Sequence, residues 1–464
     1  MPTIPTPKVL TNSSVAILNA IRNSASTNYR DYVPYATPDA DSIKNIGSII
    51  MDMPSLQNEF LNALINRIGK VIITSKLYEQ PWKVFKKGVM EYGEVVEEVF
   101  VNMAKPYEFD PAIAETTLFE RKKPDVRSAF HVLNWQKYYP TTIQDTMLRQ
   151  AFLTADGVYN LIGKIVESLY TGAAYDEFLT MKYMLAKHIL AGHIKPVTIS
   201  AVSAANAKSI VSTIKATSNK FEFPKTEFNI SGVSTYSKKP TQYLIVNSDF
   251  DAIMDVEVLA SAFHMDKAEF DGHHILVDGF GELDKSRLAE LFGEDETLPT
   301  DAELAALNAI PAVLVDENWF MVLDNLFEFT ENYNGKGMYW NYFYHVWKTF
   351  SISPFANAAL FVPNTPSVTS VTVSPSEVTT TGGADITFTA EVVTANFAPK
   401  SVNWSVDTTS AAAGVTITKG GVVTVPADID AGSEITVTAT STFDSTATDT
   451  ATITIPSADE GGGE

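Results

Sequence analysis

The sequence predicts an α+β body followed by a separate all-β sandwich, and three observations carry that prediction. The first is a proline-free stretch from Ala155 to Leu190. In it Val158, Leu161, Ile162, Ile165, Val166 and Leu169 recur at spacings of three and four, and the stripe resumes after Gly172 with Phe178, Met181, Met184, Leu185 and Ile189. The second is an aromatic, apolar run from Met338 to Val362 whose alternation suits strands packed on both faces. The third is an abrupt change after Pro363-Asn364-Thr365-Pro366 to a chain rich in Thr, Val, Ala and Ser. A helix over Ala155 to Leu190 is about 50 Å long, far beyond the usual three or four turns, and reads as a spine for the other elements.

The 464 residues suffice for two or three domains. Hydrophobic content of 45% with 19% charged residues supports packed cores. A net charge of -21 argues against a basic surface that grips nucleic acid or anionic membrane, but it is compatible with enclosing DNA without holding it. The absence of cysteine excludes disulfides and thiolate metal sites. Met1 to Lys8 lacks the charged and apolar regions of a secretory signal, and no segment reaches the ~20 apolar residues of a membrane helix. The expectation is a soluble protein, for which the glycosylation triplets at Asn12, Asn229 and Asn403 carry no weight.

Along the chain, residues 1 to about 50 read as an arm, kept extended at Pro2, Pro5 and Pro7, with a short helix from Ser13 or Ser14 to Ile21. Pro54-Ser55 opens a helix whose face is Leu56, Phe60, Leu61, Leu64, Ile65 and Ile68, closed by Gly69. From Val71 to Tyr139 the pattern is strand-like. Phe85 to Gly88 and Glu94 to Met103 are read as two arms of a long hairpin, followed by the polar stretch Tyr107 to Pro124 and a returning strand from Val126 to Trp135. Such an excursion has no core of its own, and a partner is the natural support. After the spine come strands at Val197 to Ser200, Gln242 to Asn247, Ile275 to Val277, Ala312 to Val315 and Trp319 to Leu323. Helices are expected at Ala204 to Thr217, Val256 to His264 and Asp301 to Leu307. From 366 to 456, six or seven short strands with turns at Gly382-Gly383, Gly420-Gly421 and Ala431-Gly432 predict an immunoglobulin-like sandwich with Trp404 as its core aromatic. Residues 457 to 464 read as a flexible tail.

Catalytic and metal motifs are scarce. There is no glycine-rich phosphate loop, GxSxG elbow or HExxH helix. Asp39-Ala-Asp41 begins like a calcium loop, but Ile43 and Lys44 occupy the positions of a ligand and the turn glycine. On a strand His273 and His274 point to opposite faces and do not share a metal. Glu97-Glu98 and Asp249/Asp251 are carboxylate pairs of the kind glycosidases use, though an acidic chain carries many such pairs on its solvated surface. Lys86 and Lys87, with Glu97 and Glu98, place opposite charges on one excursion. They are the candidate inter-subunit contacts, able to set register between neighbours. No catalytic residue, cofactor or metal is assigned.

The whole layout resembles the major capsid proteins of the small phi29-like podoviruses. The residues carrying the resemblance run in order through 10 to 362 and include Ala20-Ile-Arg-Asn-Ser24, Tyr32-Val-Pro-Tyr-Ala36, Arg67-Ile-Gly69, Phe85-Lys-Lys-Gly88, Thr142-Ile-Gln-Asp145, Asp316-Glu-Asn-Trp-Phe-Met-Val322, Asp324-Asn-Leu326, Tyr339-Trp-Asn-Tyr-Phe-Tyr-His-Val-Trp347 and Phe355-Ala-Asn-Ala358. The region after 366 resembles a bacterial Ig-like domain of group 2 through Val371-Thr-Val-Ser-Pro375, Trp404-Ser-Val-Asp407 and Ile435-Thr-Val-Thr-Ala-Thr-Ser441. Gly420-Gly421 departs from that pattern by lacking the polar residue often found before the turn.

The resemblance implies an HK97-like capsid fold over 51–363 with an extended loop at about 75–135, the spine helix at 155–190 and an axial domain at about 197–335. It also implies a non-enzymatic subunit of a virion, made in the bacterial cytoplasm, that assembles through pentamers and hexamers into an icosahedral shell around double-stranded DNA. A scaffolding protein and a portal are its implied partners, with no membrane. The alternative reading is an exported carbohydrate-binding protein or glycosidase with an Ig-like module. A further one gives that module a host-attachment role.

Overall fold

The computed structural model describes residues 14–71, 80–90, 95–107, 119, 121–153, 157–253, 273–293 and 296–457. The helix expected over Val256 to His264, most of Tyr107 to Pro124, the first 13 residues and nearly all of the tail lie outside them. By contacts the chain divides into two units. One comprises Met1–Val96, His131–Phe178 and Val322–Ser351, and the other Glu97–Phe130, Leu179–Met321 and Ile352–Glu464.

The first unit begins with α1 (Ser14–Ser24), α2 (Thr27–Tyr32), α3 (Ala40–Asp52) and α4 (Pro54–Val71), followed later by α5 (Asp145–Ala151) and the start of the spine helix α6 (Gly157–Leu190). The arm expected over residues 1 to 50 is, from Ser14 onward, helical. Ile17, Ile21, Tyr29, Ile43, Ile46 and Ile50 enter the same apolar core as Leu56 and Phe60 of α4 and Leu169 of α6. Polar groups fix the links between these helices. Asn19 Nδ2 donates to Ala36 O at 2.9 Å, and Asn19 Oδ1 accepts from Ala36 N at 2.7 Å. The physical reason is the three-and-four spacing of isoleucines in α1 and α3, which creates faces too apolar to stay in water.

Strands β1 (Lys86–Val89), β2 (Val96–Val101), β3 (Val126–His131) and β4 (Trp135–Gln144) precede α6. After it come β5 (Lys195–Thr198), β6 (Gln242–Asn247), β7 (His274–Val277), β8 (Ala312–Asp316), β9 (Phe320–Asn334), β10 (Tyr339–Ile352) and β11 (Ala358–Val362). In the first unit they form the sheet β1-β9-β10-β4, with β1 parallel to β9 and β10 antiparallel to β4 from Tyr339↔Gln144 to Lys348↔Trp135. The hairpin partnership expected for the strand at Lys86 is therefore corrected. β1 pairs with β9, while β2 pairs with β3, because Lys86 is drawn to acidic partners on the β9 side. From Tyr339 to Lys348 every second residue of β10 is buried, including Trp340, Tyr342, Tyr344 and Val346, while the residues between them are half-buried.

The second unit holds the end of α6 and the five-stranded sheet β5-β11-β8-β6-β7. All residues of β6, β8 and β11 are buried, as expected for apolar runs covered on both faces. Helix α7 (Ala207–Phe221) contributes Ile210, Val211, Ile214 and Phe221 to the core formed with Leu244, Leu314 and Phe361. Among the described residues three shorter helices follow: α8 (Ser248–Ile253), α9 (Lys285–Phe292) and α10 (Asp301–Asn308). Thr300 and Glu303 close a reciprocal capping box on α10. The run Met338 to Val362, expected as strands, is divided between β10 in the sheet of the first unit and β11 in that of the second.

Among its described residues the C-terminal region is all β apart from one turn of helix, α11 (Thr408–Ala412). Its strands are β12 (Ser367–Ser374), β13 (Glu377–Thr379), β14 (Asp385–Thr387), β15 (Thr389–Ala395), β16 (Val402–Val406), β17 (Thr416–Ile417), β18 (Val422–Thr424), β19 (Glu434–Ser441) and β20 (Thr448–Thr454). They pair as β12-β15, β13-β20-β19-β16 and β14-β18-β17 around Val371, Phe388, Val423, Ile435, Val437 and Ile453. Phe388 is the fully buried aromatic, and Trp404 is only half-buried against it. Gly421 explains the arrangement. At φ +80°, a Cβ there would stand 2.4 Å from Phe388 O and 3.0 Å from the Trp404 ring, so only glycine admits both.

Candidate functional site

Two features of this architecture bear on function, an ion cluster inside the first unit and an uncovered strand face in the second. The cluster is built from four elements. Lys86 of β1 lies 2.7 Å from Asp324 of β9 and 3.3 Å from Glu177 of α6. Lys348 of β10 lies 2.6 Å from Asp324 and also pairs with Glu177, which accepts from Gln80 Nε2 as well. Glu177, Asp324 and Lys348 are buried, and Lys86 is nearly so. Two cations and two carboxylates cancel, as buried charges must. Burial alone would lower the Lys86 amine, but Glu177 and Asp324 outweigh it and hold its pKa above the ordinary lysine value. Beside the cluster, Tyr139 donates to Asp176 at 2.8 Å. The arrangement ties β1, which runs in parallel register with β9, to the spine helix.

The second feature is the pair β2-β3, which alternates strictly. Its inner face packs within its own unit. Phe100 stacks on Phe355 at 5.5 Å, Glu98 accepts from Ser353 Oγ at 2.7 Å, Arg127 donates to Ser231 O, and Asn102 Oδ1 accepts from Ser234 N at 3.2 Å. Its outer face presents Glu97, Val99 and Val101 beside Val126, Ser128 and Phe130. The four apolar residues there are between 51% (Val126) and 62% (Phe130) exposed. Met103, just after β2, is exposed as well. An exposed apolar strand face of this kind is a candidate interaction surface.

The sequence-selected residues divide accordingly. Lys86 is one of the two cations of the internal cluster, Lys87 is half-buried on β1, Glu98 belongs to the inner face of β2 and Glu97 to its outer face. His274 Nε2 lies 3.1 Å from Asp251 Oδ1, whereas His273 Nε2 meets Pro240 O at 2.7 Å, so the two rings do have separate partners. Asp249 lies in the first turn of α8, where its backbone N–H donates to the capping Asn247 Oδ1 at 3.0 Å. Sequence reasoning missed Glu177, Asp324 and Lys348. The available signal was an unbalanced charge within apolar periodicity, Glu177 beside Phe178 on the spine stripe and Lys348 within the aromatic run.

The fold is that of a tailed-phage capsid subunit of the HK97 type. The capsid structure of Staphylococcus phage Andhra aligns with a TM-score of 0.50 at 15% identity, over 63% of this chain and 86% of that one. The family model for Phi29-like phage major capsid protein matches residues 18–362. The major capsid protein of Bacillus phage B103 is 35% identical over 421 residues, 89% of this chain and 87% of the relative. That of Streptococcus phage Cp-1 is 27% identical over 360 residues, 74% and 93% respectively. The chain belongs to the Phi29-like phage major capsid protein family. It is a structural subunit of the virion capsid that assembles with copies of itself into a shell, which replaces the reading as an exported carbohydrate-binding protein. No described helix is long and apolar enough to cross a membrane.

Proposed function

We propose that many copies of this chain close into an icosahedral head through pentamers and hexamers, around double-stranded DNA, and that the subunit acts by assembly and not by catalysis. The observation that carries the assembly mechanism is the outer face of β2-β3. Its valines and phenylalanine are covered when the pair lies across a neighbouring subunit, which gains apolar burial at each contact. Glu97 borders that face and Lys87 lies on β1 before it, and both are proposed to set register between subunits. Glu98 and Lys86 contribute from inside, holding the inner face and the base of β1. The net charge of -21 leaves the genome repelled and mobile wherever acidic surface faces inward.

A scaffolding protein and a portal are the proposed assembly partners, on the family resemblance. The C-terminal β region is proposed to be a bacterial Ig-like domain of group 2, a reading supported by its short paired strands and its Val371-to-Pro375 and Trp404-to-Asp407 segments. Electron microscopy of the protein expressed alone and with its cognate scaffolding protein tests the proposal. Uniform closed particles are expected in at least the second preparation, and a persistent monomer in both would contradict it.

A further inference from the structure

Within the second unit, the C-terminal β region meets the α+β part at a contact defined by backbone geometry. Helix α6 ends in a left-handed cap at Gly192, φ +71°, whose N–H donates to Ile189 O at 3.0 Å, while His193 N donates to His188 O at 3.0 Å. Against this cap lies the turn that follows β15. A Cβ on Gly192 would stand 2.8 Å from Ala398 O and 3.0 Å from both Pro399 Cα and Lys400 N. Ala398 is fully buried. Glycine is thus required twice, by the helix cap and by the approaching backbone.

The turn itself is strained. Asn396 at φ 54° and Phe397 at φ 63° are consecutive left-handed residues. Asparagine tolerates that region, and Asn396 Nδ2 also donates to Thr365 O at 2.8 Å. Phenylalanine has no such compensation, and a residue so placed persists only where its surroundings over-determine it. Phe397 and Lys400 border a cleft of about 320 Å³ together with Leu190, Ala306 and Ile310, from α6 and around α10. Lys400 also faces the Glu303 carboxylate of α10, which is held low first by its hydrogen bonds to Thr300 and then by Lys400.

We infer that the turn over residues 395–400 is a latch and the Gly192 cap its seat, an intramolecular interface that holds the C-terminal β region against the end of the spine helix. The region then moves with that helix and does not swing on the linker Pro363 to Pro366. This goes beyond the assembly reading, since it concerns one subunit. Hydrogen exchange on the full-length unassembled chain tests it with Ala398→Glu, which forces a charge into the buried contact. Exchange at residues 189–193 and 301–310 is expected to quicken about tenfold or more while β19 and β20 stay protected. Unchanged exchange at both places, with β19 and β20 protected, would overturn the latch. If Ala398→Glu loses β19 and β20 as well, Gly192→Ala probes the contact from the other side. Faster exchange at 395–400 supports the latch, whereas fraying of the α6 terminus alone reduces Gly192 to a helix cap and overturns it.

Discussion

β10 and the β2-β3 pair are written in the same code and meet opposite fates. Both alternate large apolar residues with polar or half-covered ones. On β10 the face of Trp340, Tyr342, Tyr344 and Val346 is sealed by helices of its own unit, whereas on β2-β3 Val99, Val101, Val126 and Phe130 stay half or more exposed. Period-two alternation specifies that a face needs cover. It does not say whether the cover comes from the same chain or from another copy, and for a shell subunit that difference separates folding from assembly.

The β10 face should therefore respond to mutation as a core. Tyr344 sits 4.6 Å from Phe329 and 4.7 Å from Tyr170 by ring centroids. Tyr344→Ala is expected to cost the unassembled subunit ~3–5 kcal/mol in denaturant unfolding, as deletion of a buried aromatic does. A loss within the range of a surface substitution would show that β10 is not the folding core.

Next comes the ion cluster beneath the same sheet. Glu177→Gln leaves the buried Lys348 and the partly buried Lys86 on one carboxylate and should cost roughly 3 kcal/mol or more, and adding Lys348→Met should recover much of it, because balanced removal of a buried pair is tolerated better than half of one. Urea midpoints of the single and double variants decide the matter, and equal midpoints would deny the coupling. The sign for Lys86 follows from its raised pKa. Its stabilisation is fully present below the ordinary value of 10.5 and is lost as pH rises through the folded value. The unfolding midpoint should fall more steeply above about pH 10 in wild type than in Lys86→Met.

A smaller effect is expected in the C-terminal region. Asp407 caps α11 by accepting from Ser410 N and Oγ, and it also accepts from Thr436 N at 2.9 Å, so its pKa is lowered to about 2. The stabilisation is present above the ordinary value of 3.8 and disappears as pH falls through about 2. Asp407→Ala should cost ~1 kcal/mol at neutral pH and little at the acid end. Thermal unfolding at both pH values checks this.

Much of this was legible in the sequence. The spine helix is continuous from Gly157 to Leu190, close to the predicted Ala155 to Leu190, because its apolar stripe is long and free of proline. Strands such as Gln242 to Asn247 were legible because buried runs of Tyr, Leu, Ile and Val have few other uses. The helical packing of α1 to α3 was less so, since short helices between prolines resemble an arm until Ile43, Ile46 and Ile50 are seen to share one core. The partners of Lys86 were not legible at all. Glu177, Asp324 and Lys348 lie between about 90 and 260 residues further on, and pairwise charge attraction leaves no periodic trace. For the same reason the excursion was recognised as unsupported, while the division of its residues into inner Glu98 and outer Glu97 needed the register of β2.

The central claim is that the outer face of β2-β3 is spare in the folded subunit and necessary in the shell. The double substitution Val99→Asp and Phe130→Asp tests it most directly, with urea unfolding of the subunit and electron microscopy of assembly run on the same protein. The expected result is a stability change within about 0.5 kcal/mol per site, as for exposed positions, together with loss of closed particles. Normal shells from the doubly substituted protein, or a subunit that no longer folds, would contradict the account.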